Sequence, residues 1–147
     1  MRLGTKGRYA VMAMTDLARH GRERAVTLAE IAGRQEISQA YLEQLFAALR
    51  RRGLVASVRG PGGGYRLGRS AELISVVEVV RAVDEPLTAT RCEGASTGCL
   101  GGGERCATHD LWDALGDRIS DFLGAVSLED VVQRRVKSHV SASAEAA

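Results

Sequence analysis

No stretch of the 147 residues approaches the eighteen or more consecutive apolar residues of a membrane span. The opening residues, MRLGTKGRYAVMAM, pass from a basic start into an amphipathic helix without the cleavage pattern of a secretory signal. A cytoplasmic protein with no membrane contact is the expectation. Cysteine is scarce and odd in number, three in all, so a framework of paired disulfides cannot use every thiol. No repeat occurs at solenoid periods. The glycine run at positions 60–64 lacks the Gly-Lys-Ser/Thr ending of a phosphate loop and leads into a strand, which excludes nucleotide binding there. No Asp or Glu pair is placed with a histidine as a catalytic set, and an enzyme is not expected.

What is present is ordinary in amount and uneven in distribution. Hydrophobic residues make up 45% and charged residues 26%, values typical of a globular domain long enough to bury a core. The net charge is only +2, yet residues 1–70 carry thirteen Lys/Arg against five Asp/Glu, and residues 71–147 seven against thirteen. The basic half is suited to meet a polyanion, and the acidic half has another task.

Periodicity and capping signals give a mainly α chain with one small β-hairpin. A first helix is predicted over Gly7 to Arg19. Thr27 and Glu30 form a capping box that starts a second, Gln35 and Glu36 make a turn, and Ser38 caps a third with Ile37 and Leu42 as its hydrophobic staple. Leu42, Leu45, Phe46 and Leu49 are its buried stripe. Residues 54–58 and 65–67 are strand-like around a glycine-rich tip. Two short helices followed by such a hairpin make a winged helix-turn-helix. Ser75 and Glu78 form another capping box, opening a helix to about Val83. A longer amphipathic helix is predicted from Thr108 to Leu123, with Leu111, Trp112, Leu115, Ile119, Phe122 and Leu123 on one side. A last helix runs from Ser127 to about Val136. The division expected is a DNA-binding domain at 1–85, a cysteine-rich loop at 86–107, the long and terminal helices at 108–136, and a flexible tail at 137–147.

The N-terminal face of a recognition helix is the part that reaches base edges. Here that face carries Gln39, Ala40, Tyr41, Glu43 and Gln44. Gln44 can bond adenine at two points and Glu43 can accept from a cytosine amino group while repelling guanine acceptors. Arg59, beside Gly60 at the shoulder of the wing, suits a narrow minor groove. Arg2, Lys6 and Arg8 are placed for phosphate contacts, which position without reading sequence.

All three cysteines lie in one loop, Cys92, Cys99 and Cys106, with His109 just beyond at the first turn of the long helix. Thiolates with an imidazole select zinc or an iron–sulfur cluster over hard cations. No Cys-x-x-Cys pair is present, against a zinc knuckle. A helix N-terminus favours the Cys106 thiolate.

The stretches MRLGTKGRYAVMAM, ISQAYLEQLF, GLVASVRGPGGGYRLG, AVDEPLTATRC and CATHDLWDALGDRISDFL resemble the winged-helix iron–sulfur regulators, specifically those that control cluster assembly, over roughly residues 1 to 132. The resemblance implies a homodimeric transcription factor that binds double-stranded promoter DNA and holds one 2Fe-2S cluster per subunit. Cys92, Cys99, Cys106 and His109 would be the ligands, the cluster-assembly machinery the source, and the long helix the dimer contact. It implies repression of cluster-assembly genes when loaded and derepression on cluster loss. Three departures stand out. Each segment between cysteines is one residue longer than usual, Ala40 replaces a serine, and Glu36 stands where the turn usually has glycine. Relatives that sense nitric oxide take an acidic ligand from the partner's first helix; this chain has Lys6 and Arg8 there and no acid before Asp16. The other readings of the same residues are a redox- or nitric oxide-sensing regulator of this fold and a zinc-stabilised DNA binder without sensing.

Overall fold

The computed structural model describes residues 3–83, 87–92 and 98–137. Arg2, part of the cysteine loop and the tail from residue 138 therefore lie outside the described residues. The order of elements is α1 (Thr5–His20), α2 (Leu28–Gln35), α3 (Gln39–Arg51), β1 (Val55–Val58), β2 (Gly64–Leu67), a 3-10 turn (Ala71–Leu73), α4 (Val76–Ala82), α5 (His109–Ala125) and α6 (Leu128–Val132). The mainly helical winged helix-turn-helix architecture is as the sequence predicts.

Local chemistry sets most of the boundaries. Thr27 accepts from the Glu30 amide, and the Glu30 carboxylate accepts from the Thr27 amide at 2.8 Å, so both predicted partners of the box are engaged. Ser38 Oγ accepts from the Tyr41 amide and starts α3. Between them Glu36 takes a left-handed conformation, φ 55°, and its amide closes α2 on the Ala32 carbonyl. A side chain there is strained where glycine would not be. Replacing Glu36 with Gly should raise stability by about 0.5–1 kcal/mol, read as a higher urea midpoint at unchanged slope; a lower midpoint would mean that the Glu36 side chain does something the turn needs.

The first core gathers α1, α2, α3, the wing base and α4 around Met14, Leu17, Ile31, Leu42, Phe46, Leu49, Leu54 and Ile74. The β1–β2 hairpin is antiparallel, with Val55 opposite Leu67 and Val58 opposite Gly64, and Gly63 donates to the Gly60 carbonyl across its tip. Tyr65 anchors the hairpin. Its backbone exchanges two hydrogen bonds with Val26, just before the α2 cap, and its ring meets Phe46 edge-on at 4.9 Å. The wing is therefore fixed to both helices of the helix-turn-helix.

Ser75 and Ser127 each carry a capping box, and the two helix starts pair back to back. Val76 donates to the Val126 carbonyl and Leu128 to the Ile74 carbonyl, both at 2.9 Å. Leu128 is thereby buried in the first core. The predicted segment 108–136 divides accordingly: α6 returns to the N-terminal unit, tied also by the Arg22–Glu129 ion pair at 2.7 Å, while α5 lies on α4. The terminal helix ends at Val132, not near Val136. Arg134 turns left-handed, φ 58°, and the Arg135 amide closes the chain on the Asp130 carbonyl.

Three glutamates have carboxyls held below their ordinary range: Glu30 by Arg24, down to about 2, Glu78 by Arg69 and Glu129 by Arg22. Carboxylates depressed on folding stabilise the native state above their unfolded pKa, and that contribution disappears as pH falls through the folded value. Thermal stability should hold above about pH 4.5 and decline from there towards about 2. Glu30→Gln should make that acid limb shallower; an unchanged limb would remove the Arg24–Glu30 pair from the account.

Candidate metal centre and nucleic-acid interface

Residues 87–92 leave the vicinity of α4 and cross α5 at Gly116. A Cβ at that position would stand 3.3 Å from the Leu87 carbonyl oxygen and 3.4 Å from the Ala89 amide, so a side chain there would push the two backbones apart by a few tenths of an ångström. The crossing delivers Cys92 to the N-terminal end of α5. Cys99 arrives by a compact turn. Its amide and that of Leu100 both donate to the Glu104 carbonyl at 3.0 Å, and Gly103 donates to the Leu100 carbonyl. Gly98 enters this turn at φ 79°, where a Cβ would lie 2.5 Å from the Gly103 carbonyl oxygen. His109 opens α5, its amide bonded to the Cys106 carbonyl at 3.0 Å and its side chain buried, 6% exposed.

These pieces bring soft donors together. His109 Nδ1 lies 3.0 Å from Cys99 Sγ and 3.6 Å from Cys92 Sγ, and the three ligand atoms fall within 4.8 Å of one another. Cys92, Cys99 and His109 are placed to bind a metal. Cys106 stands at the edge: its thiol interacts with that of Cys99 and lies 3.6 Å from Thr108 Oγ1, which also accepts from the Trp112 indole at 3.2 Å. The Thr108 hydroxyl at the N-cap of α5 does most to lower the Cys106 thiol below its ordinary range, and backbone amides at the same helix start add to it. For Cys99 the Cys106 amide pulls downward, but burial and the neighbouring thiols outweigh it and the net shift is up. Thiols and an imidazole, half-buried and gathered by a glycine-rich turn, suit a borderline or soft metal or an iron–sulfur cluster. The donor set fits such a group.

The helix-turn-helix, α2 and α3, carries most of the other predicted residues. Gln39, Ala40, Glu43 and Gln44 are exposed along the N-terminal part of α3, as are Lys6 and Arg8 on α1 and Arg59 and Gly60 at the wing. Tyr41 is different. It is half-buried, packed on the core and set edge-on to Tyr9 with centroids 5.9 Å apart. Sequence reasoning missed what holds these helices at their angle. The Asp16 carboxylate, buried on α1, accepts from Arg34 Nε at 2.9 Å, Arg34 Nη2 at 2.7 Å and Gln35 Nε2 at 2.8 Å, clamping α2 just before the turn into α3. Asp16 and Arg34 lie eighteen residues apart, and only the fold pairs them.

Compared with known proteins, residues 3–134 match the model of the Rrf2 family, described as iron-dependent transcriptional regulators. The chain belongs to the Rrf2 family. It is 59% identical over 135 residues to the HTH-type transcriptional regulator IscR of Xenorhabdus nematophila and 58% identical to that of Pectobacterium carotovorum, covering 92% of this chain and 81% of each relative. Among solved structures it is similar to T. potens IscR, at TM-score 0.74 and 37% identity over 92% of this chain and 88% of that one. It is also similar to CymR, the global cysteine regulator of B. subtilis, at TM-score 0.77 and 32% identity over 91% and 98%. These Rrf2 relatives are transcriptional regulators, in agreement with the DNA-binding fold. Among the described residues no helix is long and apolar enough to cross a membrane.

Proposed function

We propose that the chain is a cytoplasmic, homodimeric DNA-binding repressor of iron–sulfur cluster-assembly genes that carries one 2Fe-2S cluster per subunit. Cys92, Cys99, Cys106 and His109 are the ligands in this reading, and the cluster-assembly machinery supplies the cluster. The observation that carries it is the meeting of Cys92, Cys99 and His109 at the start of α5 in a chain 59% identical to an IscR. The cluster supplies a labile occupancy that follows iron–sulfur supply. The chain's own residues do the rest. Neutral imidazole and ionised thiols are required for ligation, so occupancy also depends on pH. A held loop 92–106 fixes the start of α5, and with it the relation of two winged domains in a dimer. Gln39, Ala40, Tyr41, Glu43 and Gln44 face the major groove in the proposal, Tyr41 chiefly by bracing Tyr9, while Arg59 and Gly60 enter the minor groove and Arg2, Lys6 and Arg8 meet phosphates.

The direct test is protein purified without oxygen, with visible spectrum, iron, acid-labile sulfide and zinc measured on one sample. Equal iron and sulfide with visible charge-transfer bands support the reading, and tighter binding of the loaded form to a cluster-assembly promoter completes it. Zinc alone, with no sulfide after reconstitution, overturns it and leaves a DNA binder with a structural metal. Arg59→Ala should weaken operator binding and lower the dependence of log affinity on log salt by about one ion per wing. An unaltered affinity and slope would take the wing out of the interface.

A further inference from the structure

The turn between α2 and α3 does not hold itself. α2 spans only Leu28–Gln35, too short to persist without tertiary contacts. It passes into α3 through Glu36, left-handed at φ 55°, a conformation that a side chain adopts under strain. The N-terminal end of α2 is secured by neighbours: Thr27 and Glu30 close their capping box, and Val26 bridges to Tyr65 of the wing. The C-terminal end depends on a distant residue. Arg34 and Gln35, the last two of α2, both reach Asp16 on α1, whose side chain is 1% exposed. Oδ1 accepts from Arg34 Nη2 at 2.7 Å, and Oδ2 accepts from Arg34 Nε at 2.9 Å and Gln35 Nε2 at 2.8 Å. Holding α1 to α2 does not by itself call for an ion pair, since apolar side chains in place of a buried pair are often as stabilising. What the two-pronged guanidinium contact adds is orientation: it fixes angle as well as distance.

We propose that Asp16 is a positioning residue for sequence reading: through Arg34 and Gln35 it fixes the end of α2, and with it the angle at which α3 presents Gln39, Glu43 and Gln44 to base edges. These three residues lie in the first two turns of α3, directly past the turn, so a swing of the end of α2 passes straight to them. Base contacts require donors and acceptors aligned within narrow limits of distance and angle. Phosphate contacts tolerate the same swing, because an exposed Lys follows its phosphate on a flexible stem. Asp16 itself is buried and touches no DNA. Its carboxylate therefore acts on the difference between specific and non-specific binding, and not on binding as such. The inference rests on α3 as the reading helix of the functional proposal and needs neither a metal nor a cluster.

The experiment uses the full chain and a duplex that the wild-type chain selects from a pool of random-sequence DNA, with a scrambled duplex of equal length as the non-specific probe. Asp16→Asn places an amide donor against the donors of Arg34 and Gln35. Its affinity for the selected duplex should fall by about tenfold or more, the size of a lost base contact. The scrambled duplex should be bound within about twofold of wild type, since phosphate contacts are kept. Asp16→Ala combined with Arg34→Ala removes both charges together, leaves neither unpaired, and keeps the test open if Asp16→Asn fails to fold. It should show the same loss of ratio, with the dependence of log affinity on log salt unchanged. A slope smaller by about one per chain would mean that Arg34 meets a phosphate itself, and would overturn the positioning role. A clamp that serves stability alone would lower the melting temperature and both affinities together; an unmoved ratio therefore also overturns the proposal. If the wild-type chain enriches no sequence, the reading of α3 fails and this inference with it. Enrichment by the wild type with an unchanged ratio in the variants removes only Asp16.

Discussion

Cys99→Ser should leave the protein folded and empty. Cys99 is the donor at the centre of the set: its sulfur lies 3.0 Å from His109 Nδ1 and within 4.8 Å of the Cys92 sulfur, and it is buried where no outside ligand can easily replace it. A serine hydroxyl is a hard, weakly acidic oxygen and does not substitute for a thiolate on a soft or borderline metal. Changes to residues that merely support a ligand commonly cost 10–100-fold in metal affinity, so loss of this ligand should cost about 100-fold or more. Iron, sulfide and zinc per chain should fall to background after anaerobic purification. The fold should survive, because the turn around Cys99 is held by backbone bonds to Glu104 and the cores lie elsewhere; circular dichroism and melting temperature check this. Full metal content in the variant would show that the donors meet without ligating. His109→Ala should give the milder phenotype of a group that binds and is lost faster, since one imidazole is removed and three thiols remain.

The sequence made the helix-turn-helix and wing legible because their signals are local. Capping boxes at Thr27 and Ser75, the Ser38 cap and the stripe of Leu42, Leu45, Phe46 and Leu49 each depend on residues within a few positions. The gathering of Cys92, Cys99 and His109 was legible for the same reason, with eighteen residues holding every donor. What was not legible depends on distant partners. Asp16 reads as one acid in a basic half until α2 brings Arg34 and Gln35 to it. Leu128 reads as part of a C-terminal appendage until the pairing of Ser75 with Ser127 buries it in the first core. Tyr41 reads equally as a residue of the reading face or of the packing beneath it, and only the fold shows that Tyr9 and the core take up its ring. Cys106 was expected to owe its acidity to the helix end, and the hydroxyl that lowers it most belongs to Thr108, the N-cap of that helix.

If the chain is the homodimer proposed above, Leu111→Asp and Phe122→Asp, made separately, should convert it from dimer to monomer at micromolar concentration without unfolding it. One face of α5 is engaged: Arg81 donates to Ser120 Oγ at 2.6 Å, and Gly116 meets residues 87–89. The other face is apolar and open to solvent in the single chain. Leu111 is 60% exposed and Phe122 36%, with Leu115 and Ile119 half-buried between them at helical spacing. Such a stripe, interrupted by Arg118 seven residues after Leu111, is what a second copy would cover in a two-fold contact. An aspartate on it is harmless in the free chain but desolvated in the dimer. Sedimentation velocity gives the oligomeric state, and circular dichroism confirms that the helices remain. DNA binding should fall with the dimer. Two winged domains on one operator bind with an avidity that can exceed a single domain's affinity by about 10²–10⁴, so operator affinity in the monomer should drop by about 100-fold or more. Non-specific binding, which depends on phosphate contacts of each domain, should fall far less. The placement of the donors gives this a consequence for regulation. His109 opens α5 two residues before Leu111, so whatever holds or releases the cysteine loop acts on the first turn of the proposed dimer helix. If the variants stay dimeric, that route from metal to DNA has no structural basis; if they dissociate while keeping their metal, the site and the dimer are separable, and the metal acts on the geometry of the dimer and not on its existence.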